Sequence, residues 1–174
     1  ARSRALLALP LLAVPALVQA SGFAIESQGA RAMGFAGAYV AQAADPSAIF
    51  YNAASIGFLK GKQLYIGGAF VGRSTDFTGS GPKPPAGTLE QSSHGLGLLP
   101  TIYYSQQVGD KAVVGLGVSR PFGTRSQWEN PNEFTGRYIC LECQIDSWSI
   151  NPTIAIRLAD RLSIGAGVDV RLST

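Results

Sequence analysis

Charge is scarce in this chain. Only 14% of its 174 residues are Asp, Glu, Lys or Arg, against roughly a quarter in ordinary soluble domains. Histidine and methionine each occur once and cysteine twice. So few ligand-type side chains argue against a four-ligand zinc site, and His94 has no nucleophile motif near it for Ser-His-Asp catalysis. Neither a Walker A loop nor a strand-to-helix G-x-G-x-x-G pattern is present. The 14 basic side chains are scattered singly and make no stripe for nucleic acid. No enzyme activity, cofactor, metal or nucleic-acid partner is expected. Long apolar runs are missing too: beyond the extreme N-terminus nothing approaches the ~20 apolar residues of a spanning helix. That excludes a polytopic helical protein, while 46% hydrophobic side chains exclude intrinsic disorder.

What is present starts with Arg2 and Arg4 ahead of an apolar stretch to Val18, then Ala20 just before Ser21. Positive, apolar, then small is the order of a secretory signal peptide, predicted over residues 1–20, with a retained anchor helix as the alternative. The mature chain then begins near Ser21, outside the cytoplasm. Residues 21–61 are rich in Gly, Ala and small polar side chains and sustain no period. Within them, Asp45-Pro46-Ser47 reads as an N-cap followed by Pro at the first helical position, predicting a short helix to about Asn52.

From residue 62 onward a period of two takes over. Trp148, Ile150, Pro152, Ile154, Ile156 and Leu158 alternate with Ser147, Ser149, Asn151, Thr153, Ala155 and Arg157. Leu162, Ile164, Ala166, Val168, Val170 and Leu172 likewise alternate with Ser163, Gly165, Gly167, Asp169, Arg171 and Ser173. Such strict alternation predicts long strands with one face in an apolar medium. Weaker versions cover residues 63–73, 95–108 and 111–119, where Val71, Leu99, Tyr103 and Val113 blur the polar face. By parity Arg157, Asp169 and Arg171 face the lumen, where hydrated wall charge is a plainer role than ligand contact.

Between these five strands, long glycine- and proline-bearing connections alternate with tight turns at Gly109-Asp110 and Ala159-Asp160-Arg161. Long loops at one rim and short turns at the other predict an all-β, transmembrane antiparallel β-barrel of the bacterial outer membrane. Five strands cannot close a barrel, and open edges in lipid cost several kcal/mol per unsatisfied backbone group. The chain is therefore expected to be the N-terminal part of a larger protein, a monomer when full length, with residues 62–174 supplying the first strands.

Several segments resemble one family, the FadL-type outer-membrane transporters of long-chain fatty acids and aromatic hydrocarbons. They are Ser21-Gly-Phe23-Ala-Ile25, Gly34-Phe-Ala-Gly37-Ala-Tyr39, the run from Ala43 through Asp45, Pro46 and Asn52 to Ala54, Pro121-Phe-Gly123-Thr, Gly136-Arg-Tyr138 and the two C-terminal alternating runs. The resemblance implies a barrel of about fourteen strands whose lumen is plugged by an N-terminal hatch, residues 21–61 here. It also implies that the mature N-terminus reaches a hydrophobic pocket, with Phe23 as the leading ligand residue and Ile25 beside it. The hatch motif implied is Asp45, Pro46, Asn52 and Ala54, though Ala53 stands where the family has proline.

The same resemblance implies capture of a fatty acid or similar hydrocarbon, then sideways release into outer-membrane lipid through a gap at the third strand, residues 111–119. Gly115 and Gly117, followed by Pro121, are compatible with weakened pairing there, with ordinary barrel tapering as the alternative. Phe122, Trp128, Phe134 and Tyr138 could floor an external groove or serve as interfacial aromatics. In an exported chain Cys140 and Cys143 read as a small loop disulfide sooner than a redox motif. A general porin-like barrel and an outer-membrane lipid hydrolase are the competing functions.

Overall fold

The computed structural model describes residue 25 and residues 28–42, 44–92 and 95–174. The expected signal peptide and Phe23 lie outside the described residues. The elements are two short helices, α1 (Ala30–Gly34) and α2 (Ala48–Tyr51), a 3-10 helix (Ala53–Phe58) and then strands β1 (Lys62–Arg73), β2 (Asp76–Thr78), β3 (Leu89–Gln91), β4 (Gly95–Val108), β5 (Ala112–Gln127), β6 (Glu142–Ala159), β7 (Leu162–Gly167) and β8 (Val170–Ser173). The main sheet is an antiparallel meander in the order β1-β4-β5-β6, with β7 and β8 both on the far side of β6. Strands β2 and β3 form a separate hairpin inside the first long connection, which the period-two pattern does not announce.

Two boundaries differ from expectation. β5 does not stop at Ser119 but runs on to Gln127, because a register shift between Ser119 and Phe122 absorbs Pro121 and pairing with β6 then resumes. The last predicted strand, residues 162–173, is interrupted at Val168 and Asp169. Opposite them stands Pro152, which has no N–H to donate, although its carbonyl still accepts from Val168 at 3.1 Å. Register is the same on both sides, with Thr153 opposite Gly167 and Ile150 opposite Val170, so β7 and β8 act as one strand.

The two faces of this sheet are inverted relative to a water-soluble protein. Trp148, Ile150, Ile154, Ile156 and Leu158 of β6 are exposed, while Ser147, Ser149, Thr153 and Ala155 on its other face are buried. The same inversion holds on β1, where Leu64, Ile66 and Phe70 are exposed, and on β4, where Leu96, Leu98 and Ile102 are exposed. An apolar face of this extent is incompatible with water and suits lipid. Its height fits as well. Trp148 to Leu158 spans about 33 Å along the strand, or about 25 Å along the membrane normal at the usual tilt of outer-membrane strands.

Residues 28–59 fold against the opposite, small-polar face, at the end of the sheet carrying the tight turns. Ala32, Tyr39, Ala48, Ile49, Ile56 and Leu59 bury themselves with Tyr103, Val113 and Ala155 of the strands. Glycines on the sheet make this close approach possible. A Cβ on Gly165 would stand 2.6 Å from the amide nitrogen of Ala54, and one on Gly115 would stand 2.7 Å from Cδ1 of Ile49. Next to Gly165, the Ser163 hydroxyl donates to the Ala54 carbonyl at 2.6 Å.

Candidate functional site

The N-terminal segment is held in shape by two short polar side chains. Asp45 accepts from the Ser47 amide at 3.0 Å and from the buried Tyr39 hydroxyl at 3.0 Å, with Arg31 at 3.6 Å. This side-chain-to-backbone bond closes a turn through Pro46 that leads into α2, so the helix starts at Ala48 after Ser47 and not at Pro46 after Asp45 as expected, and it ends at Tyr51, close to the expected Asn52. Asn52 then caps the 3-10 helix, its Oδ1 accepting from the Ala54 amide at 3.0 Å while its Nδ2 donates to the Val40 carbonyl at 3.0 Å. Burial and the bond to Asp45 hold the Tyr39 hydroxyl above the ordinary tyrosine range.

At its beginning the segment reaches the wall. The Ile25 amide donates to the Pro121 carbonyl at 3.0 Å. Ile25 also lines a cavity of about 210 Å³ between this segment and the inner side of β1 and β4, with Met33, Tyr65, Ala69 and Leu99 among its walls. Gln28 also lines that cavity, its Nε2 donating to the Ile25 carbonyl at 2.7 Å.

Pro121 is where the wall itself changes. Below it, β4 and β5 pair continuously from Val108 opposite Ala112 to Thr101 opposite Ser119. Above it the ladder ends, with Pro100 next in line on β4 and Arg120-Pro121 on β5, so two prolines meet where the strands part. The upper part of β5 steps inward. A Cβ on Gly97, aimed to the inner side, would meet the Gly123 carbonyl at 3.2 Å. Arg120 ties the displaced segment down, its Nε and Nη2 bridging the Asp146 carboxylate at 2.6 and 2.7 Å. Between the inner side of β4 and the outer side of β5 and β6 this step leaves a slot of about 450 Å³.

The glycines expected to weaken the third strand do something else. Ladders run unbroken on both sides of Gly115 and Gly117. Their missing side chains admit Ile49 of the N-terminal segment and the ring of Tyr103. The discontinuity lies beyond them, at Arg120-Pro121, and its signal in the sequence is a proline that interrupts the alternation.

The remaining side chains singled out from sequence are spread along the lumen and the loops. Arg171 stands opposite Ser149 on the inner face, pairs with Asp169 at 2.7 Å and lies 5.5 Å from the centre of the Phe122 ring. Asp169 also accepts from the Ser149 hydroxyl. Arg157 sits at the tight-turn end and donates to the Asp110 carbonyl at 2.9 Å, far along the strand from Arg171. Cys140 and Cys143 are joined in a disulfide. In the loops, Trp128 and Phe134 stack with centroids 4.1 Å apart and, with Leu89, border an external cavity of about 310 Å³. Tyr138 stands away from it, 87% exposed, and Phe122 turns into the lumen.

A lipid-facing antiparallel wall, long loops at one rim, tight turns at the other and an N-terminal segment against the inner face define an outer-membrane β-barrel protein. Residues 11–173 match the family described as outer membrane protein transport protein (OMPP1/FadL/TodX), and the chain belongs to that family, one of transporters and not of enzymes. It is 35% identical over 122 residues to a protein of Neisseria meningitidis serogroup B (strain ATCC BAA-335 / MC58) named as an outer membrane protein, covering 66% of this chain and 26% of that relative. The fold is similar to the crystal structure of a Pseudomonas aeruginosa FadL homologue, with a TM-score of 0.62 and 25% identity over 87% of this chain and 38% of that one. The chain thus spans well under half the length of either relative, and among the described residues the sheet has two free edges, β1 and the β7–β8 side.

Proposed function

We propose that the protein to which this chain belongs carries hydrophobic molecules, long-chain fatty acids or similar hydrocarbons, across the outer membrane by capture in an apolar pocket and sideways release through the wall. The observation that carries this reading is the Ile25 to Pro121 hydrogen bond, because it joins the segment bordering the inner cavity to the edge of the slot. Residues 28–59 act as the hatch. A hydrocarbon gains about 0.8 kcal/mol per buried CH₂, so a short apolar cavity retains it where a watery channel would not. Release sideways keeps the chain out of water throughout and needs only a local rearrangement at Ile25.

The test uses the full-length protein. Cells lacking other uptake routes should gain saturable uptake of radiolabelled oleate or toluene, and the purified barrel in planar bilayers should show little ion conductance. Steady conductance with no gain in hydrocarbon uptake would replace this reading with a general porin.

A further inference from the structure

The slot contains more charge than a hydrocarbon exit requires. Arg73, Arg120 and Arg125 all line it, together with Gln144. Arg120 is paired with Asp146 and Arg125 with Glu142 at 2.6 Å, whereas Arg73 has no carboxylate partner among the described residues. Three guanidiniums against two carboxylates leave one positive charge. Most of its lining, from Gly95 to Leu98 on β4 and from Arg120 to Gln144 on β5 and β6, belongs to interior strands, whereas Val71 and Arg73 enter it from the edge strand β1.

Its level in the membrane follows from register. Arg125 stands opposite Gln144 and Gly123 opposite Asp146, and these even-numbered β6 positions continue the outward face on which Trp148 tops the apolar band. Outward positions beyond that tryptophan, on the long-loop side, lie at the head-group level of the outer leaflet. Leu96 and Leu98, 71% and 48% exposed, border the slot from the lipid side, while Arg73, opposite Gly95, enters it from the inner side of β1. Guanidinium forks beside apolar surface at head-group depth fit one kind of molecule: an amphiphile whose anionic head accepts bidentate hydrogen bonds.

We propose that the slot is a binding site for a phosphorylated membrane lipid of the surrounding leaflet, its phosphate on Arg73 and Arg125 and its acyl chain along Leu96 and Leu98. A resident lipid then seals the gap from outside until an outgoing molecule displaces it. Guanidinium geometry favours phosphate, whose three or more oxygens engage two forks at once, over a carboxylate with two.

The full-length protein, purified in mild detergent and stripped of lipid, is titrated with dimyristoyl phosphatidic acid, dimyristoylglycerol and myristate, and binding is read by native mass spectrometry. The wild type should bind phosphatidic acid at least tenfold more tightly than dimyristoylglycerol. Arg73→Gln with Arg125→Gln should erase that ratio, Arg73→Gln alone should reduce it, and Arg161→Gln at the opposite rim should leave it intact. Equal binding of the phosphatidic acid and the uncharged lipid, or an undiminished ratio in the double variant, overturns the site. Myristate binding as tightly as phosphatidic acid and displacing it overturns the assignment to lipid phosphate. Hydrocarbon uptake is read separately, so failure of the transport reading and failure of this site are distinguishable.

Discussion

The Ile25 amide and the Pro121 carbonyl share a hydrogen bond of 3.0 Å, and it links the start of the described N-terminal segment to the one point where the β4–β5 ladder gives way. A net intramolecular hydrogen bond contributes about 0.5–1.5 kcal/mol, enough to bias a local two-state equilibrium by up to about tenfold. Ile25→Pro removes the donor and leaves an apolar side chain in place. In the full-length protein it should change hydrocarbon uptake several-fold while leaving the amount of assembled barrel unchanged. Uptake equal to wild type would dissociate the segment from the wall step.

Docking of the N-terminal segment rests on absent side chains. At Gly165 an added methyl would meet the Ala54 amide at 2.6 Å and the Ala53 carbonyl carbon at 2.7 Å, both rigid backbone. At Gly115 it would meet the Cδ1 end of Ile49, which can turn away. Gly165→Ala is therefore expected to weaken docking by about 1–3 kcal/mol and Gly115→Ala by less. Single-barrel conductance of the full-length protein should rise in that order, Gly165→Ala leaking more than Gly115→Ala and both more than wild type.

These contacts also explain which parts of the fold were legible in the sequence. Alternation in β6 and in residues 162–173 is strict because the outside needs only apolarity and the inside only small polar groups, and Arg171 stands opposite the buried Ser149. Where alternation blurs, at Leu99, Tyr103 and Val113, the cause is contact with the N-terminal segment and its bordering cavity. All three are nearly fully buried on the inner side. Apolar residues on the polar face thus mark, at these three positions, where the N-terminal segment docks, a signal readable only once two distant segments are considered together; Val71 instead borders the slot. The wall step was harder, since the strand continues past Pro121 with its pairing to β6 restored and only its pairing to β4 lost. Glycine drew attention to Gly115 and Gly117, but a missing side chain on an intact ladder makes room and does not open a gap.

Ala53 occupies the first position of its 3-10 helix, where the family resemblance leads one to expect proline. Asn52 before it has φ −160° and ψ 105°, an extended conformation that a following proline favours. Ala53→Pro is expected to stabilise the docked segment by about 0.4–1 kcal/mol by restricting the unfolded chain. Hydrogen exchange of residues 48–59 in the full-length protein should slow. Faster exchange would mean that the Ala53 amide or the close packing on Gly165 cannot accommodate the ring.

Tyr39 gives the segment a pH limit. Its hydroxyl is buried and donates to Asp45, so the folded state holds that proton more tightly than an unfolded tyrosine does, chiefly through desolvation and next through the bond to the carboxylate. A raised value of this kind contributes stability that is complete below about pH 10, the ordinary tyrosine value, and is lost as pH climbs through the folded value. Protection of residues 30–52 from hydrogen exchange, corrected for the intrinsic rate, should accordingly fall above pH 10 while the strands remain protected. Tyr39→Phe removes the titrating proton along with the bond: the segment should be about 1 kcal/mol weaker at neutral pH and should lose this alkaline drop. If the variant shows the same drop as wild type, the pH dependence belongs to another group.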